Sequence, residues 1–211
     1  MTTTQAGVPR TGRRPATSRG ELSRIGLELF AAHGYDATTV EDIAAAAGIG
    51  RRTFFRYYAS KNDVVWGDFE DGLDAMREWL RRCPDEVPLL EALRRAVLEF
   101  NRVDADALSA HRARMTLILR VPALQAHSTL RYAAWRDVVA EFVARRRGVA
   151  VDDLLPQVLG HALLGVALAA YERWLGCDDA ALPRLLDEAV TALVAGVGRD
   201  APPTVPTDRT G

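Results

Sequence analysis

The 211-residue chain is 48% hydrophobic and 26% charged, which supplies a packed core and excludes a disordered or collagen-like chain. A formal net charge of -1 excludes both a uniformly basic polyanion coat and an acidic tail protein. Two cysteines, Cys83 and Cys177, exclude a disulfide scaffold and form no C-x-x-C pair, so a reduced, cytoplasmic setting is expected. The longest apolar run, 158–171, is interrupted by His161 and is short for a bilayer, so no membrane partner is expected. The balanced total hides an asymmetry. Residues 1–62 hold nine basic and five acidic groups, while the remainder holds eighteen and twenty-three. A basic front on an acidic body points to a polyanion-facing module joined to something else.

In chain order, residues 1–18 are rich in Thr, Gly, Pro and Arg and read as a flexible basic arm. A first helix carries Leu22, Ile25, Leu29 and Phe30 on one face and ends near His33-Gly34. A second starts at Thr39, whose hydroxyl can cap the amide of Asp42, and stops at Gly48. A short third covers about 51–57, and Ser60 with Asp63 opens a long helix to about Arg82. Pro84 and Pro88 punctuate its end. Further helical stretches are expected at about 89–103, 105–120, 123–147, 152–175 and 180–197, separated by Pro122, Gly148, Gly176 and the Asp178-Asp179 pair. Residues 199–211, with three prolines, read as a disordered tail. No alternating strand pattern occurs, so the fold class is all-α, with about nine helices.

The informative segment is "TVEDIAAAAGIGRRTFFRYY", residues 39–58. Small alanines let a second helix cross closely, Gly48 permits the turn, and Ile49 plugs the corner. The next helix projects Arg51, Arg52, Thr53 and Tyr57. This is the layout of a helix-turn-helix, whose second helix enters the major groove N-terminus first. Arginine there can donate bidentately to guanine, and threonine can meet a thymine methyl or a phosphate. Lys61, the one lysine in the chain, follows and suits a phosphate.

Residues 21–66 as a whole resemble the DNA-binding domain of TetR-type transcriptional regulators: an aromatic-alanine-glycine-aromatic close to helix one, Thr-Val-x-x-Ile-Ala, Ala-Gly-Ile and Tyr-Tyr-x-Ser-Lys. The resemblance implies a homodimer on double-stranded operator DNA, with Thr39 and Lys61 on phosphates and Arg51, Arg52 and Thr53 near bases. It implies repression relieved by a small-molecule effector. Phe55 stands where the family usually places a phosphate-binding tyrosine, and Tyr57 where it often has histidine. Gly50 replaces the usual capping serine or threonine, leaving an amide that a DNA phosphate could take. The stretches "RRTFFRYYASKNDVVWGDFE", "YAAWRDVVAEFVARR" and "LGVALAAYERWL" are similar to regulators associated with mycofactocin biosynthesis clusters, which would imply an actinobacterial source and a fatty acyl-CoA effector.

The expected organisation is therefore a helix-turn-helix domain at 19–65 and an effector and dimerisation domain at 66–198. Candidate cavity residues are Phe69, Met76, Phe100, Met115, Trp135 and Tyr171, apolar groups on helical stripes. Arg112, Arg114, Arg131 and Arg136 could meet a charged head at the mouth. Arg145, Arg146 and Arg147 read as a helix C-terminal cap. The last two helices, with small Gly160, Gly165 and Ala169, are expected at the dimer interface. The four histidines show no metal-ligand spacing, and no nucleophile, P-loop or dinucleotide motif calls for an enzyme or a cofactor. Two rival readings are a constitutive DNA-binding protein without effector and a helical enzyme with a vestigial helix-turn-helix.

Overall fold

The computed structural model describes residues 17–177 and 179–195. The basic arm through residue 16, with Arg13 and Arg14, lies outside the described residues, as do Asp178 and everything after 195. Among the described residues the fold is all-helical. The helices are α1 (Arg19–His33), α2 (Val40–Ala46), α3 (Arg51–Tyr57), α4 (Lys61–Val64), α5 (Phe69–Arg82), α6 (Leu89–Phe100), α7 (Leu108–Arg120), α8 (Pro122–Arg147), α9 (Leu154–Leu175) and α10 (Leu182–Ala195). A 3-10 turn at Ala105–Ala107 precedes α7.

Local chemistry sets most boundaries. Ser18 accepts from the Glu21 amide at the start of α1. Thr39 and Asp42 form a reciprocal capping box at the start of α2, satisfying two amides that a helix end leaves orphaned. Gly34, Gly48 and Gly148 close helices or turns with positive φ, a region costly for any residue with a Cβ.

One expectation is corrected: 60–82 is not a single helix. The helix stops at Val64 and restarts at Phe69, with Gly67 between them at φ +53°. The break turns consecutive residues Val64, Val65 and Trp66 all inward, which a straight amphipathic helix cannot do. Gly67 also sits where a Cβ would press on Ser23 and Arg114.

Two apolar cores result. One joins α1 to α4 around Leu22, Ile43, Phe54 and Val64, and takes in Ile118 of α7 and Leu124 of α8. The other lies between α5, α6, α8, α9 and α10, around Leu80, Leu93, Phe142 and Leu163. Phe69, Met115 and Leu119 pack against both. Arg145 donates to the Leu80 carbonyl and Arg146 to those of Pro84, Asp85 and Val87. Arg145 thus caps the C-terminus of α5 and Arg146 ties down the loop after it, while all three arginines lie in the last turn of α8.

Helix α9 is long and apolar enough to satisfy a membrane-span test by length and composition, unlike the shorter run read from the sequence. Gly160 on it faces α8, where a Cβ would lie 3.1 Å from the Arg136 carbonyl oxygen. That glycine serves close packing within the chain. Gly165, by contrast, faces open space.

Gly26 of α1 offers a stability test, because a Cβ there would overlap Cγ1 of Val64. Gly26→Ala gains about 1 kcal/mol of helix propensity, against roughly 1–3 kcal/mol for overpacking a filled core. The expected result is net destabilisation in urea unfolding, relieved when Val64→Ala is added.

Candidate nucleic-acid interface and interior cavity

Helix α3 stands on the outside of the first core, anchored by Phe54 beneath it. Its C-terminal end is clamped to the start of α1: Arg19 Nε donates to the Tyr57 carbonyl at 3.1 Å and the Tyr58 hydroxyl donates to the Arg19 carbonyl at 2.8 Å. Its N-terminal end is free of any side-chain cap, with Gly50 exposed and extended. Arg51 and Arg52 are exposed there. Arg51 pairs with Glu41 at 2.5 Å and lies over the Phe55 ring. Arg52 makes no hydrogen bond or ion pair within the chain among the described residues. Thr53 is half-buried beside them.

The remaining predicted contacts are already engaged. The Thr39 hydroxyl accepts from the Asp42 amide and donates to its carboxylate. Tyr57 donates to the Thr17 carbonyl at 2.6 Å. Lys61 donates to the carbonyls of Tyr35 (2.9 Å) and Thr38 (3.0 Å), and its ammonium sits over the Tyr35 ring. It ties the α1–α2 loop to α4, and a phosphate would compete with those carbonyls. Arg19 and the half-exposed Phe55 complete the surface; the Arg19 clamp was invisible to motif reading because it depends on α1 and α3 meeting end to end.

A cavity of about 460 Å³ opens between the two cores. Phe69, Phe100, Met115, Trp135 and Tyr171 line it, joined by Trp66, Asp68, Ile118, Tyr132 and Leu164. Met76 lies instead on a smaller cleft between α5 and α6, which shares Gly72 and Phe100 with the main cavity. Of the four candidate arginines, Arg114 alone lines the cavity. Arg112 stacks over Trp174 and donates to the Cys177 carbonyl. Arg131 pairs with Asp63 and Glu70. Arg136 lies along the Gly160 contact.

A satisfied polar chain crosses the cavity wall. Tyr171 donates to Asn101 Oδ1, so its oxygen accepts from His111 Nε2–H, each at 2.9 Å, and Asn101 donates to the Val97 carbonyl. Burial together with the nearby Arg114 charge pushes the His111 pKa down to about 4, so the ring is neutral near pH 7. At the joint between the cores, Asp63 takes hydrogen bonds from Ser60, His127 and Arg131. Burial alone would raise that carboxyl, but these donors hold it below the usual carboxylate range.

Family comparison settles the class. Residues 25–65 match the model described as bacterial regulatory proteins, tetR family, and residues 87–198 match the MftR C-terminal domain model. The chain belongs to the TetR family of transcriptional regulators. It is 47% identical over 190 residues to MftR of Mycobacterium tuberculosis (strain ATCC 25618 / H37Rv), a protein named as a mycofactocin biosynthesis regulator, covering 90% of this chain and 96% of that one. It is 37% identical to the regulator TcmR of Streptomyces glaucescens over 67% of this chain and 65% of the other. The fold is also that of the TetR-family repressor FadR of Thermus thermophilus, solved in complex with lauroyl-CoA. That match has a TM-score of 0.57 at 24% identity, over 89% of this chain and 99% of the other. The TetR-type resemblance read from residues 21–66, and the narrower one to mycofactocin-associated regulators, are thereby confirmed.

His111 gives a pH test. Unfolded, it takes up a proton near pH 6.5, while folded it stays neutral to about pH 4. The unfolded state then binds more protons as pH falls through that window, so the stability His111 contributes is full above about 6.5 and lost towards 4. Melting temperatures of the wild type and His111→Gln at pH 7.5 and 5 should differ in slope, the variant losing less on acidification.

Proposed function

We propose that this TetR-family regulator is a homodimeric repressor that binds a palindromic operator through α3 and is released when a small apolar effector fills the cavity. The observation that carries the reading is the position of that cavity. Its walls combine Trp66, Asp68 and Phe69, at the break after the helix-turn-helix, with residues of α6, α7, α8 and α9. Filling it bears directly on the joint that sets where α3 sits.

On DNA, Arg51 and Arg52 face base edges, with Thr53 and the uncapped Gly50 end of α3 beside them. Thr39, Tyr57 and Lys61 hold the surrounding loops at the phosphate backbone. Phe55, lacking a hydroxyl, braces Arg51 instead of donating to a phosphate. The unit of regulation spans a helix-turn-helix domain at 19–65 and an effector and dimerisation domain from 66 onward, acting in the cytoplasm without catalysis.

The dimer surface is read from α9. Leu154, Val158, His161, Gly165, Ala169 and Glu172 are exposed at intervals of three and four residues, one continuous helical face. Leu154 is 80% exposed, which suits a contact with the same helix of a second copy. A largely apolar cavity with a few polar groups suits an effector with an apolar tail, and a fatty acyl-CoA is the first candidate, given the lauroyl-CoA bound by the FadR neighbour.

Arg52→Ala should cost roughly 1–3 kcal/mol per half-site and relax preference at one base position, measured by titrating a set of single-base operator variants. Arg51→Ala should act likewise, and also release Glu41. A footprint without dyad symmetry, or acyl-CoA binding that operator DNA leaves unchanged, would overturn the dimer or the effector assignment respectively.

A further inference from the structure

Among the described residues, two buried side-chain polar atoms have no hydrogen-bond partner: Nε1 of Trp66 and Nε of Arg114. Both residues line the same cavity. Both atoms are obligate donors, since indole and guanidinium nitrogens offer no acceptor. Leaving such donors unmatched in a protein interior is costly, and both belong to side chains on the wall of one cavity, where a bound group can match them once the side chains turn toward it. Arg114 makes one hydrogen bond, a 3.3 Å contact to the Ser23 hydroxyl of α1. Asp68 is near enough to be felt as a charge but is exposed and forms no ion pair with it among the described residues. The other ionisable groups on the lining are Arg102, Asp104, the neutral His111 and the phenols of Tyr132 and Tyr171, which burial keeps protonated.

We propose that Arg114 and Trp66 form a head-binding site for a carbonyl-type oxygen, either a carboxylate or a thioester carbonyl, with the attached apolar chain lying against Phe69, Phe100, Met115 and Trp135. This rests on the effector reading above and refines it. The head is read inside the cavity, beside α1, and not by a ring of arginines at the mouth. Gly67 makes the arrangement possible, since a Cβ there would lie 3.3 Å from Arg114 Nη2 and 3.1 Å from Ser23 Oγ. An oxygen that draws the guanidinium toward the cavity weakens its contact to Ser23. Ser23 also donates to the Val64 carbonyl at 2.8 Å, so the head site is one residue removed from the packing of α1 on α4.

The test is calorimetric titration of the full chain with laurate, lauroyl-CoA and dodecylamine, which share one chain and differ in the head. The wild type should bind laurate or lauroyl-CoA, and whichever binds identifies the source of the oxygen; dodecylamine, with a cationic donor head, should bind more weakly. Arg114→Met should weaken the acid or thioester by roughly ten- to a hundredfold, and Trp66→Phe by roughly two- to tenfold, without weakening dodecylamine. Ligand-free Arg114→Met should melt at or above the wild-type temperature, because it removes an unmatched buried cation; a purely structural arginine would lower it. Ser23→Ala should keep acid affinity and lose part of the ligand-driven release of DNA. Wild-type affinity for the acid and thioester in both Arg114→Met and Trp66→Phe, or dodecylamine binding as tightly as laurate, overturns the proposal while leaving the effector reading intact. Failure of the wild type to bind any of the three probes overturns the effector reading, and the head site with it.

Discussion

A carboxylate withdrawn from water has to be matched where it is buried, and Asp63 is matched from two helices. It is 9% exposed and is the one ionisable side chain among the buried polar residues described. Ser60 reaches it from the start of α4, and His127 and Arg131 reach it from α8. Removing any one donor would leave a partly matched charge in the interior, a far larger penalty than losing a surface pair. The joint is therefore directional. It fixes one register of the four-residue α4 against α8, and Arg131 extends it to Glu70 at the start of α5. The helix-turn-helix also meets the body where α1 packs on α7, with Arg114 donating to Ser23, and where Ile118 and Leu124 enter its core.

The cavity lies next to the joint, and the reason is packing. Trp66 follows Asp63 by three residues and is turned inward by the left-handed Gly67, so its ring fills space between the two cores against Phe69 and Tyr132. Bulky rings meeting edge to face leave gaps that aliphatic side chains would close. A ligand larger than the gap makes room by shifting these rings, and Trp66 and Phe69 lie within a few residues of Asp63. Coupling between effector and DNA then needs no long chain of intermediaries. It needs two arrangements of one aromatic cluster, and typical coupling free energies of about 1–3 kcal/mol are within reach of such a shift.

The elements up to Tyr57 were legible because their signals are local. Thr39 and Asp42 cap each other three residues apart, and the alanines and Gly48 state the close crossing directly. The break at 65–68 was not legible, since Val64, Val65 and Trp66 read as ordinary members of a helical stripe until one sees that all three are buried. Gly67 was the available signal: a glycine inside an amphipathic run, followed by an acidic cluster that restarts a helix. Cavity-lining aromatics were identifiable as a class, and Phe69, Phe100, Met115, Trp135 and Tyr171 do line it. Met76 could not be separated from them, because its side of α5 is distinguished only by which neighbour α6 presents. The arginine triplet reads as a cap at a helix C-terminus; that Arg145 reaches the last turn of α5 and Arg146 the loop beyond it is a tertiary fact. Lys61 shows the opposite limit. Its position in a family motif suggested phosphate, yet its nearest acceptors are the Tyr35 and Thr38 carbonyls of the α1–α2 loop.

Helix α9 carries two tasks on two faces. Leu164, Ala167, Leu168 and Tyr171 line the cavity, while Gly165 and Ala169 lie among them on the exposed stripe proposed to meet a second copy. With about 100° of rotation per residue, the cavity-lining positions and the exposed stripe centre on two adjacent faces of the helix, roughly a quarter turn apart. Gly160 fixes its approach to α8, leaving little freedom to move away from the protein core. Under the proposed dimer, a helix held this closely would pass a push from inside to α8 and to the exposed stripe together, since close-packed interiors are weakly compressible. In the proposed two-fold assembly, such a push would reach the contact shared by both protomers and with it the spacing of their α3 helices. The high apolar content that makes α9 resemble a membrane span by composition alone fits a helix that lines the cavity on one face and carries on another the exposed stripe proposed to meet a second copy.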